Sequence, residues 1–330
     1  MHEPHFWRAL DPRTRASAPV TRLLLTPFAM AYSWAGKRRI ERALPADAGV
    51  PVICIGNLTL GGAGKTPVAA EVRARLAARG LRAATLSRGY RGEQKGPLRV
   101  DPQDHKAGDV GDEPLMLAAM GEAWIAQDRA AGARAMRTDG VGVIVMDDGH
   151  QNPALRKDMS LIVIDAAEPF GNGHVFPKGP LREPVARGLE RADGLILMGE
   201  GAAPPALADF PGPILRARLA PLQTTTPGRY IAFAGIGRPE RFFDTLSAMQ
   251  GVDLADAVPY PDHHVFTASD LDYLMKLSSE RGARLITTDK DHVRLSDDAK
   301  PMVSRASVKA HFEDGAALDA LLSRIAPAAA

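Results

Sequence analysis

The sequence predicts an α/β protein whose core is a doubly wound parallel sheet. Three observations lead to this prediction: short continuous runs of Val, Ile and Leu, helical stretches that alternate with them, and a glycine-rich turn after the first run. Continuous apolar runs are typical of parallel strands that are buried on both faces. We also expect a second, smaller α/β lobe and an N-terminal helical segment that faces a membrane.

Length and composition are those of an ordinary globular protein. The chain has 330 residues, of which 45% are hydrophobic and 24% are charged, which excludes disordered, collagen-like and coiled-coil chains. The single cysteine, Cys54, excludes an internal disulfide and any zinc site built from several cysteines. Because Cys54 lies in the apolar run before the glycine-rich turn, we expect it to be buried and unreactive.

The net charge of +2 is unevenly distributed along the chain. Residues 1–45 carry a balance of +5, so the remainder carries −3. The eight basic and three acidic residues of this segment are Arg8, Arg13, Arg15, Arg22, Lys37, Arg38, Arg39, Arg42, Glu3, Asp11 and Glu41. The acidic body contains no basic patch interleaved with aromatic residues, which argues against a nucleic-acid partner. Nothing in the sequence indicates an obligate protein partner.

The basic segment also contains an uncharged stretch over residues 23–36, LLLTPFAMAYSWAG. A membrane-spanning helix needs about 20 apolar residues, so this stretch is too short. Lys37, Arg38 and Arg39 follow it where a signal peptide would have a small-residue cleavage site. Two interpretations stay open: a segment lying in the headgroup region of an anionic membrane, or a helix packed on the body with solvated basic flanks.

The pattern after residue 45 divides the chain into further parts. Apolar runs at 50–55, 83–86, 141–146, 161–164 and 195–198 are predicted strands, separated by a helix over 67–79 and another from Pro114 past Trp124. They place the core at 46–200, after the N-terminal segment 1–45. Six prolines make 201–228 a predicted connection. Strands at 230–234 and 284–287 and a helix at 269–281 predict a C-terminal α/β lobe at 229–330.

The strongest functional signal is the glycine-rich turn between the first predicted strand and helix, Gly61-Gly62-Ala63-Gly64-Lys65-Thr66. Glycines let backbone N–H groups approach a phosphate, and the following helix N-terminus favours the same anion. Lys65 would reach the β- and γ-phosphates of a nucleotide, and the Thr66 hydroxyl would bind Mg²⁺. The turn therefore predicts a P-loop NTPase-type core. A strict Walker A motif has glycine where this chain has Thr59, so an ordinary glycine-rich turn is the alternative.

Two aspartates end the predicted strand at 141–146. Asp147 would hold Mg²⁺ directly or through water, and Asp148 would assist it or position a substrate. Adjacent carboxylates repel each other unless a cation is near, so a purely structural role is expected for one of the two at most. Capping of the turn at Gly149 is the alternative for one of the two.

Phosphoryl transfer further requires a base for the acceptor hydroxyl and cationic support for the phosphoryl group. Asp112, at a loop-to-helix junction, is a candidate base; helix capping, with Glu113 at the N-cap, is the alternative. His263 could pair with a carboxylate and tune it, although adjacent histidines on a turn are often surface residues. Arg182 could clamp phosphate, or it could be solvated in its Pro-rich loop.

Seven segments occur in a characteristic order: GNLTLGGAGKTP at 56–67, LSRGY at 86–90, VGDEP at 110–114, DDGHQ at 147–151, GPLREP at 179–184, PDHHVF at 261–266 and TTDKD at 287–291. Together they resemble the tetraacyldisaccharide 4′-kinase family of lipid A biosynthesis. The resemblance implies transfer of the γ-phosphoryl of ATP, with Mg²⁺, to the 4′-hydroxyl of an acylated glucosamine disaccharide 1-phosphate. It also implies attachment to the cytoplasmic face of the inner membrane, where the anionic surface would meet residues 1–45.

Site roles follow from the resemblance, position by position. Lys65 and Thr66 bind ATP and Mg²⁺, and Asp112 is the general base with His263 holding or polarising it. Asp147 and Asp148 match an acidic pair for metal and substrate. Substrate or phosphate contacts are implied, with less defined roles, for Arg88, Tyr90, Glu113, Gln151, Arg182 and Glu183. His150 stands where an aromatic residue is expected, Asn152 where histidine is expected, and Ala63 cannot offer a hydroxyl.

Three other functions stay open from the residues: a soluble P-loop ligase or small-molecule kinase, a GTPase-like switch or metallochaperone, and a nucleotide-binding module without turnover. Guanine recognition favours an Asn/Thr-Lys-x-Asp segment, but the residue two after Lys290 is His292, which argues against a GTPase. A soluble enzyme leaves the uncharged stretch at 23–36 unexplained, and a non-catalytic module leaves the predicted pairing of Asp112 with His263 unexplained.

Overall fold

The structure, a computed structural model, describes residues 4–9, 14–222 and 225–326. Glu3, Asp11 and Arg13, which the charge count places in the N-terminal segment, lie outside the described residues. The helices are α1 Pro19–Glu41, α2 Lys65–Ala77, α3 Ala107–Val110, α4 Asp112–Met120, α5 Arg129–Thr138, α6 Val185–Leu189, α7 Pro239–Ser247, α8 Ala268–Arg281, α9 Asp289–His292 and α10 Gly315–Ser323.

The strands alternate with these helices along most of the chain. They are β1 Val52–Gly56, β2 Ala83–Ser87, β3 Leu98–Arg99, β4 Ala123–Ile125, β5 Val143–Asp147, β6 Met159–Asp165, β7 Gly194–Met198, β8 Ile214–Pro221, β9 Gly228–Ala234, β10 Val252–Pro259, β11 Arg284–Thr288, β12 Val303–Ala306 and β13 Val308–Phe312. The five strands predicted between residues 50 and 198 are therefore confirmed.

Within the described ranges, nine strands form a large sheet in the order β13-β8-β7-β6-β1-β5-β2-β4-β3. The strands from β8 to β4 run parallel, while β13 and β3 pair antiparallel at the two edges. The α/β prediction is confirmed, but the sheet is mixed and not wholly parallel. A single residue, Ser307, separates β12 from β13, so the chain returns directly to the edge of the large sheet.

Helices pack on both faces of the large sheet. Successive side chains of its central strand, β1, point to opposite faces and therefore enter different apolar clusters. Ile53 and Ile55 pack in one apolar cluster with Val68 of α2 and Leu318 of α10. Cys54, between them, packs in a second cluster with residues of α5. The continuous apolar runs in the sequence thus reflect burial on both faces.

Cys54 is fully buried, as the sequence predicts. Burial raises the pKa of its thiol to about 11, so little reactive thiolate exists near neutral pH. We expect the native protein to resist alkylation by iodoacetamide and to take up one equivalent after unfolding, as counted by intact mass. Modification of the native protein at the rate of an exposed thiol would contradict this expectation.

A smaller sheet, β10-β9-β11-β12, has parallel strands throughout its described residues. The predicted strands at 230–234 and 284–287 and the predicted helix at 269–281 are confirmed by β9, β11 and α8.

The connection predicted at 201–228 is corrected: it contains β8, which pairs with β7 in the large sheet. Pro213 precedes this strand and Pro221 is its last residue, so neither proline lies in the middle of the strand. The exact division into domains stays a prediction.

The helix predicted from Pro114 past Trp124 is wrong in its second half. It ends at Met120, and Trp124 lies in β4, which pairs with β2. Gly121, with φ of 150°, ends the helix in a conformation that favours glycine. Its N-cap is Gly111 and not the expected Glu113, so Asp112 is the first helical residue.

The N-terminal helix α1 exposes most of its apolar side chains. Leu23, Leu24 and Phe28 are between 64% and 71% exposed. The helix nevertheless contacts the body, because the Tyr32 ring lies 5.4 Å from the Phe176 ring, edge to face. No helix in the part of the chain that the structure describes has the length and apolarity needed to cross a membrane.

Candidate active site

Residues 61–64 lie in the turn between β1 and α2, and Lys65 and Thr66 begin α2, in the strand–turn–helix context that the sequence predicts. Gly64 is left-handed, with φ of 81°, and it is the N-cap of α2 without a side-chain cap. The first N–H groups of a helix have no partner within the helix, so they are available to an anion. The Lys65 Nζ lies 3.7 Å from Asp148 Oδ1, and the Thr66 hydroxyl donates to Asp147 Oδ2 at 3.2 Å.

Asp147 lies at the end of β5 and is 3% exposed. Burial, followed by the negative charges of Glu113 and Asp148, raises the pKa of Asp147 to about 7. Its Oδ1 is buried without a hydrogen-bond partner among the described residues. A buried carboxylate oxygen without a partner, beside the Thr66 hydroxyl, fits a hard cation that prefers oxygen ligands.

Other ligands of such a cation would have to come from a bound phosphate or from water. Across residues 4–9, 14–222 and 225–326, no three His, Cys, Asp or Glu side chains converge into a metal-binding group. A site with one protein carboxylate and one hydroxyl is typical of Mg²⁺, which keeps several waters and binds substrate phosphates.

Asp148 follows in a left-handed conformation, with φ of 53°, and its environment is opposite to that of Asp147. Arg182 binds it with two hydrogen bonds, Nη1 to Oδ1 at 2.9 Å and Nη2 to Oδ2 at 3.1 Å. Burial alone would raise the pKa of Asp148, but the charges of Lys65 and Arg182 outweigh it and lower the pKa to about 2. Asp148 is therefore ionised at neutral pH.

Gln151 and Glu183 lie one layer behind the aspartates. The Gln151 amide donates to Glu183 Oε1 at 3.0 Å and to the Asn57 carbonyl at 2.9 Å. Glu183 is 5% exposed and accepts two hydrogen bonds from Arg191, at 2.7 and 2.9 Å. Arg182 is held by a further hydrogen bond, which its Nε donates to the Thr59 carbonyl at 3.0 Å.

Asp112 and His263, which the family resemblance places in one site, are in contact between the large and the small sheet. Asp112 is 6% exposed at the start of α4, and its Oδ2 lies 2.9 Å from His263 Nδ1. His263 follows β10 with φ of 59°, a conformation that is uncommon for a non-glycine residue and is often found at functional sites. The capping alternative for Asp112 is not supported, because α4 starts at this residue.

Two cations next to Asp112 were not identified from the sequence. The first is Lys290, whose Nζ lies 3.3 Å from His263 Nε2 and 3.5 Å from Glu113 Oε1. The second is Arg294, which donates to Asp112 Oδ2 through Nε at 3.0 Å and also through Nη2. Burial opposes ionisation of Asp112, but the hydrogen bond from His263 and the nearby cations outweigh it and hold its pKa well below the usual range. Lys290 stands in the characteristic segment at 287–291, whereas Arg294 lies beyond it and carried no local signal in the sequence.

Arg88 and Tyr90 follow β2 and are both exposed. Tyr90 is 57% exposed, and its ring is 6.0 Å from the His263 ring, edge to face. Arg88 is exposed and lies near Arg129, a buried arginine that the sequence reasoning missed. Burial, followed by the charge of Arg88, lowers the pKa of Arg129 to about 10.

His150 is a structural residue in this arrangement. It is 2% exposed, and its ring nitrogens lie 3.0 Å from the Ser160 hydroxyl and from the Gly188 carbonyl. Burial lowers its pKa to about 4, so it is neutral near pH 7. Asn152 accepts a hydrogen bond from the backbone N–H of Ala154 at 2.9 Å, which stabilises a local turn.

Because the start of α2 is open to a phosphate and lies beside a carboxylate suited to a cation, the protein has the features of a phosphotransferase. Residues 21–326 match the family model described as tetraacyldisaccharide-1-P 4′-kinase. The chain belongs to this family. It is accordingly a kinase of lipid A biosynthesis, which transfers phosphate to the 4′-hydroxyl of tetraacyldisaccharide 1-phosphate.

Relatives support this assignment over almost the whole chain. The tetraacyldisaccharide 4′-kinase of Hyphomonas neptunium is 59% identical over 326 residues, which cover 98% of both chains. That of Maricaulis maris is 50% identical over 329 residues, which cover 98% of this chain and 96% of the relative. A crystal structure of the "apo" form of LpxK from Aquifex aeolicus in complex with ATP has the same fold, with a TM-score of 0.71 and 24% identity over 93% of this chain and 99% of that one.

Proposed function

We propose that ATP is the phosphate donor and that residues 61–66 form a P-loop that binds its phosphates. The left-handed Gly64 and the uncapped N-terminus of α2 direct backbone N–H groups toward an anion. The side chain of Lys65 is close to Asp148, from which it could turn to the β- and γ-phosphates. The resemblance of the chain to an ATP complex of the same fold supports this assignment.

Thr66 and Asp147 would hold Mg²⁺ in this proposal. The partnerless Asp147 Oδ1 and its raised pKa describe a carboxylate that gains stability from a neighbouring cation. When bound, Mg²⁺ neutralises charge that develops on the transferring phosphoryl group. Asp148, held ionised by Arg182 and Lys65, would orient these two cationic side chains near the same phosphates.

Asp112 is the proposed general base for the acceptor hydroxyl, and His263 fixes its orientation. The observation that carries this proposal is their 2.9 Å contact across the two sheets, with Glu113 close enough to Asp147 to affect its pKa. The base and the metal carboxylate are therefore near each other. A strongly acidic aspartate is a weak base in water, so orientation of the hydroxyl contributes as well as proton removal.

The remaining site residues divide into two groups in this proposal. Exposed Arg88, Tyr90 and partly exposed Glu113 would contact the acceptor or its phosphate. Gln151 and Glu183 would act through Arg182, since their hydrogen bonds fix the loop that carries it. The acceptor is an acylated glucosamine disaccharide 1-phosphate, and its acyl chains keep the reaction at a membrane surface.

The reaction is tested by incubating the purified protein with ATP, Mg²⁺ and a panel of hydroxyl acceptors that includes the acylated disaccharide phosphate. Mass spectrometry of the products should show one added phosphate on that lipid alone. The deacylated disaccharide phosphate serves as the matched control. ATP hydrolysis with no phosphorylated acceptor in the panel would contradict the proposed roles.

We further propose that α1 attaches the enzyme peripherally to the cytoplasmic face of the inner membrane. Its exposed leucines and phenylalanine would enter the headgroup region, and its arginines would meet anionic lipid. The helix packs on the body through the contact between Tyr32 and Phe176. In this proposal one side of the helix packs on the body and the other side lies in the membrane surface. The active site would then open close to its lipid acceptor.

Replacing Leu23, Leu24 and Phe28 together by glutamine should sharply reduce co-sedimentation with anionic vesicles. Each side chain contributes about 1.5–3 kcal/mol when it is buried, so the combined change should weaken binding by at least about 100-fold. Met302→Gln, at a 51% exposed methionine outside α1, is the matched control. Vesicle binding equal to that of the control would rule out membrane attachment through this surface.

A further inference from the structure

The side chain of Arg294 is buried next to Asp112, but the proposed mechanism does not use it. Its side chain is 6% exposed. Nε and Nη2 both donate to Asp112 Oδ2, and Nη1 donates to Asp291 Oδ1 at 2.8 Å and to the Gly235 carbonyl at 2.9 Å. All three guanidinium nitrogens are thus used, which fixes the planar group in one orientation.

The two oxygens of the Asp112 carboxylate have different partners. Oδ2 accepts hydrogen bonds from Arg294 and has His263 Nδ1 at 2.9 Å and Lys290 Nζ at 4.0 Å. Oδ1 has one partner among the described residues, the backbone N–H of Glu113 at 3.0 Å. A carboxylate oxygen has two lone pairs, so Oδ2 is saturated while Oδ1 retains the capacity to accept another hydrogen.

We propose that Arg294 is a positioning residue that occupies Asp112 Oδ2 and thereby makes Oδ1 the atom that receives the acceptor proton. This inference rests on the proposed role of Asp112 as the general base. In the reaction, the O–H bond of the acceptor breaks as a bond from hydrogen to Oδ1 forms. The acceptor oxygen uses the freed electron pair to bond to the γ-phosphorus of ATP, and the bond to the bridging oxygen breaks to release ADP.

Arg294 is held by Asp291 of the smaller sheet region, and this contact explains how the smaller sheet can orient Asp112 beside the larger sheet. Asp291 is fully buried, accepts from the backbone N–H of Gly235 at 3.1 Å and is bonded to the Thr288 hydroxyl at 2.7 Å. Arg294 therefore links a rigid group at the ends of β9 and β11 to Asp112 at the start of α4. A lysine at this position would keep the charge but not the fork that places two donors on one oxygen.

Charged groups on both sides of the contact set the ionisation of Asp112. The cations are His263 when protonated, Lys290 and Arg294, and the acids around them are Glu113, Asp262 and Asp291. Removing the positive charge of Arg294 should raise the pKa of Asp112. The pH dependence of kcat/KM should then acquire an acidic limb nearer the ordinary aspartate range of about 4.

The test is a double-mutant cycle of Arg294→Gln and Asp112→Asn in the full chain, with kcat, KM for ATP and pH profiles measured for each variant. Arg294→Gln should lower kcat about 10- to 100-fold, within the range that general bases contribute, and should leave KM for ATP unchanged. Arg294→Lys should show a smaller loss and no new acidic limb. Lys276→Gln, on the exposed surface of α8, is the control.

The second arm of the cycle separates positioning from a purely structural role. In the Asp112→Asn background, Arg294→Gln should cause no further loss of kcat, because the residue it acts through is already disabled. An equal fold loss in both backgrounds, or an unchanged kcat and pH profile in Arg294→Gln, would overturn the inference. If Arg294→Gln does not fold, Arg294→Lys is compared in the same two backgrounds with the same criterion.

Failure of the base assignment would look different. If Asp112→Asn alone retained the wild-type kcat, the proposed function of Asp112 would be wrong, and the inference about Arg294 would fall with it. If Asp112→Asn lowers kcat as expected while Arg294→Gln keeps the wild-type kcat and pH profile, only the inference about Arg294 fails.

Discussion

Asp112→Asn is expected to lower kcat by about 10²- to 10⁴-fold, the range that a positioned general base contributes. The asparagine keeps the size of the side chain but cannot accept the proton of the acceptor. The affinity for ATP should remain unchanged, because the hydrogen bonds of Asp112 are to Glu113, His263 and Arg294 and not to the turn at 61–66. Steady-state kinetics and fluorescent-nucleotide titration measure the two quantities.

Asp104→Asn is the matched control, because Asp104 is exposed in the loop before α3. It should leave both quantities unchanged. Since the pKa of Asp112 is well below its usual range, the carboxylate is ionised throughout the neutral region and should add no acidic limb there. Retained turnover with a collapse of ATP binding in Asp112→Asn would show that the residue belongs to the nucleotide site instead.

Local patterns in the sequence predict the centre of the fold well. The apolar runs became β1, β2, β5, β6 and β7 because each is buried on both faces and needs no information from elsewhere in the chain. The turn at 61–66 was recognisable for the same reason: its glycines, lysine, threonine and flanking elements are contiguous. The edges of the sheet were missed because β3 and β13 depend on distant pairing partners.

The candidate site was predictable where a residue belongs to a short segment with a chemical signature. The pairing of Asp112 with His263, across 151 positions, was implied by the family resemblance, and the contact between the two side chains came from the structure. Arg294 was missed although it touches the same carboxylate, because it lies 182 positions away and beyond the end of the last characteristic segment. A buried arginine has no signal in a single sequence that distinguishes it from a solvated one.

Thr66→Val is expected to reduce kcat/KM for MgATP by at least about 100-fold, because the Mg²⁺ that Thr66 is proposed to hold would supply several kcal/mol of charge stabilisation and each 1.4 kcal/mol is tenfold in rate. Valine has the shape of threonine, so the start of α2 should be preserved. The change removes the hydroxyl that donates to Asp147 Oδ2 at 3.2 Å. Initial rates across a Mg²⁺ titration should show a higher half-saturating concentration.

Thr66→Ser separates the role of the hydroxyl from that of side-chain shape. Serine keeps the ligand and the donor to Asp147 but lacks the methyl group, so its Mg²⁺ dependence should stay close to that of the wild type. Valine keeps the shape of threonine but loses the hydroxyl, whereas serine keeps the hydroxyl but loses the methyl group. Only loss of the hydroxyl should weaken Mg²⁺ binding. If valine and serine gave the same Mg²⁺ dependence as the wild type, the cation would have to be held without Thr66. Asp147, with its partnerless Oδ1, and Asp148 would then remain the candidate protein ligands next to this turn.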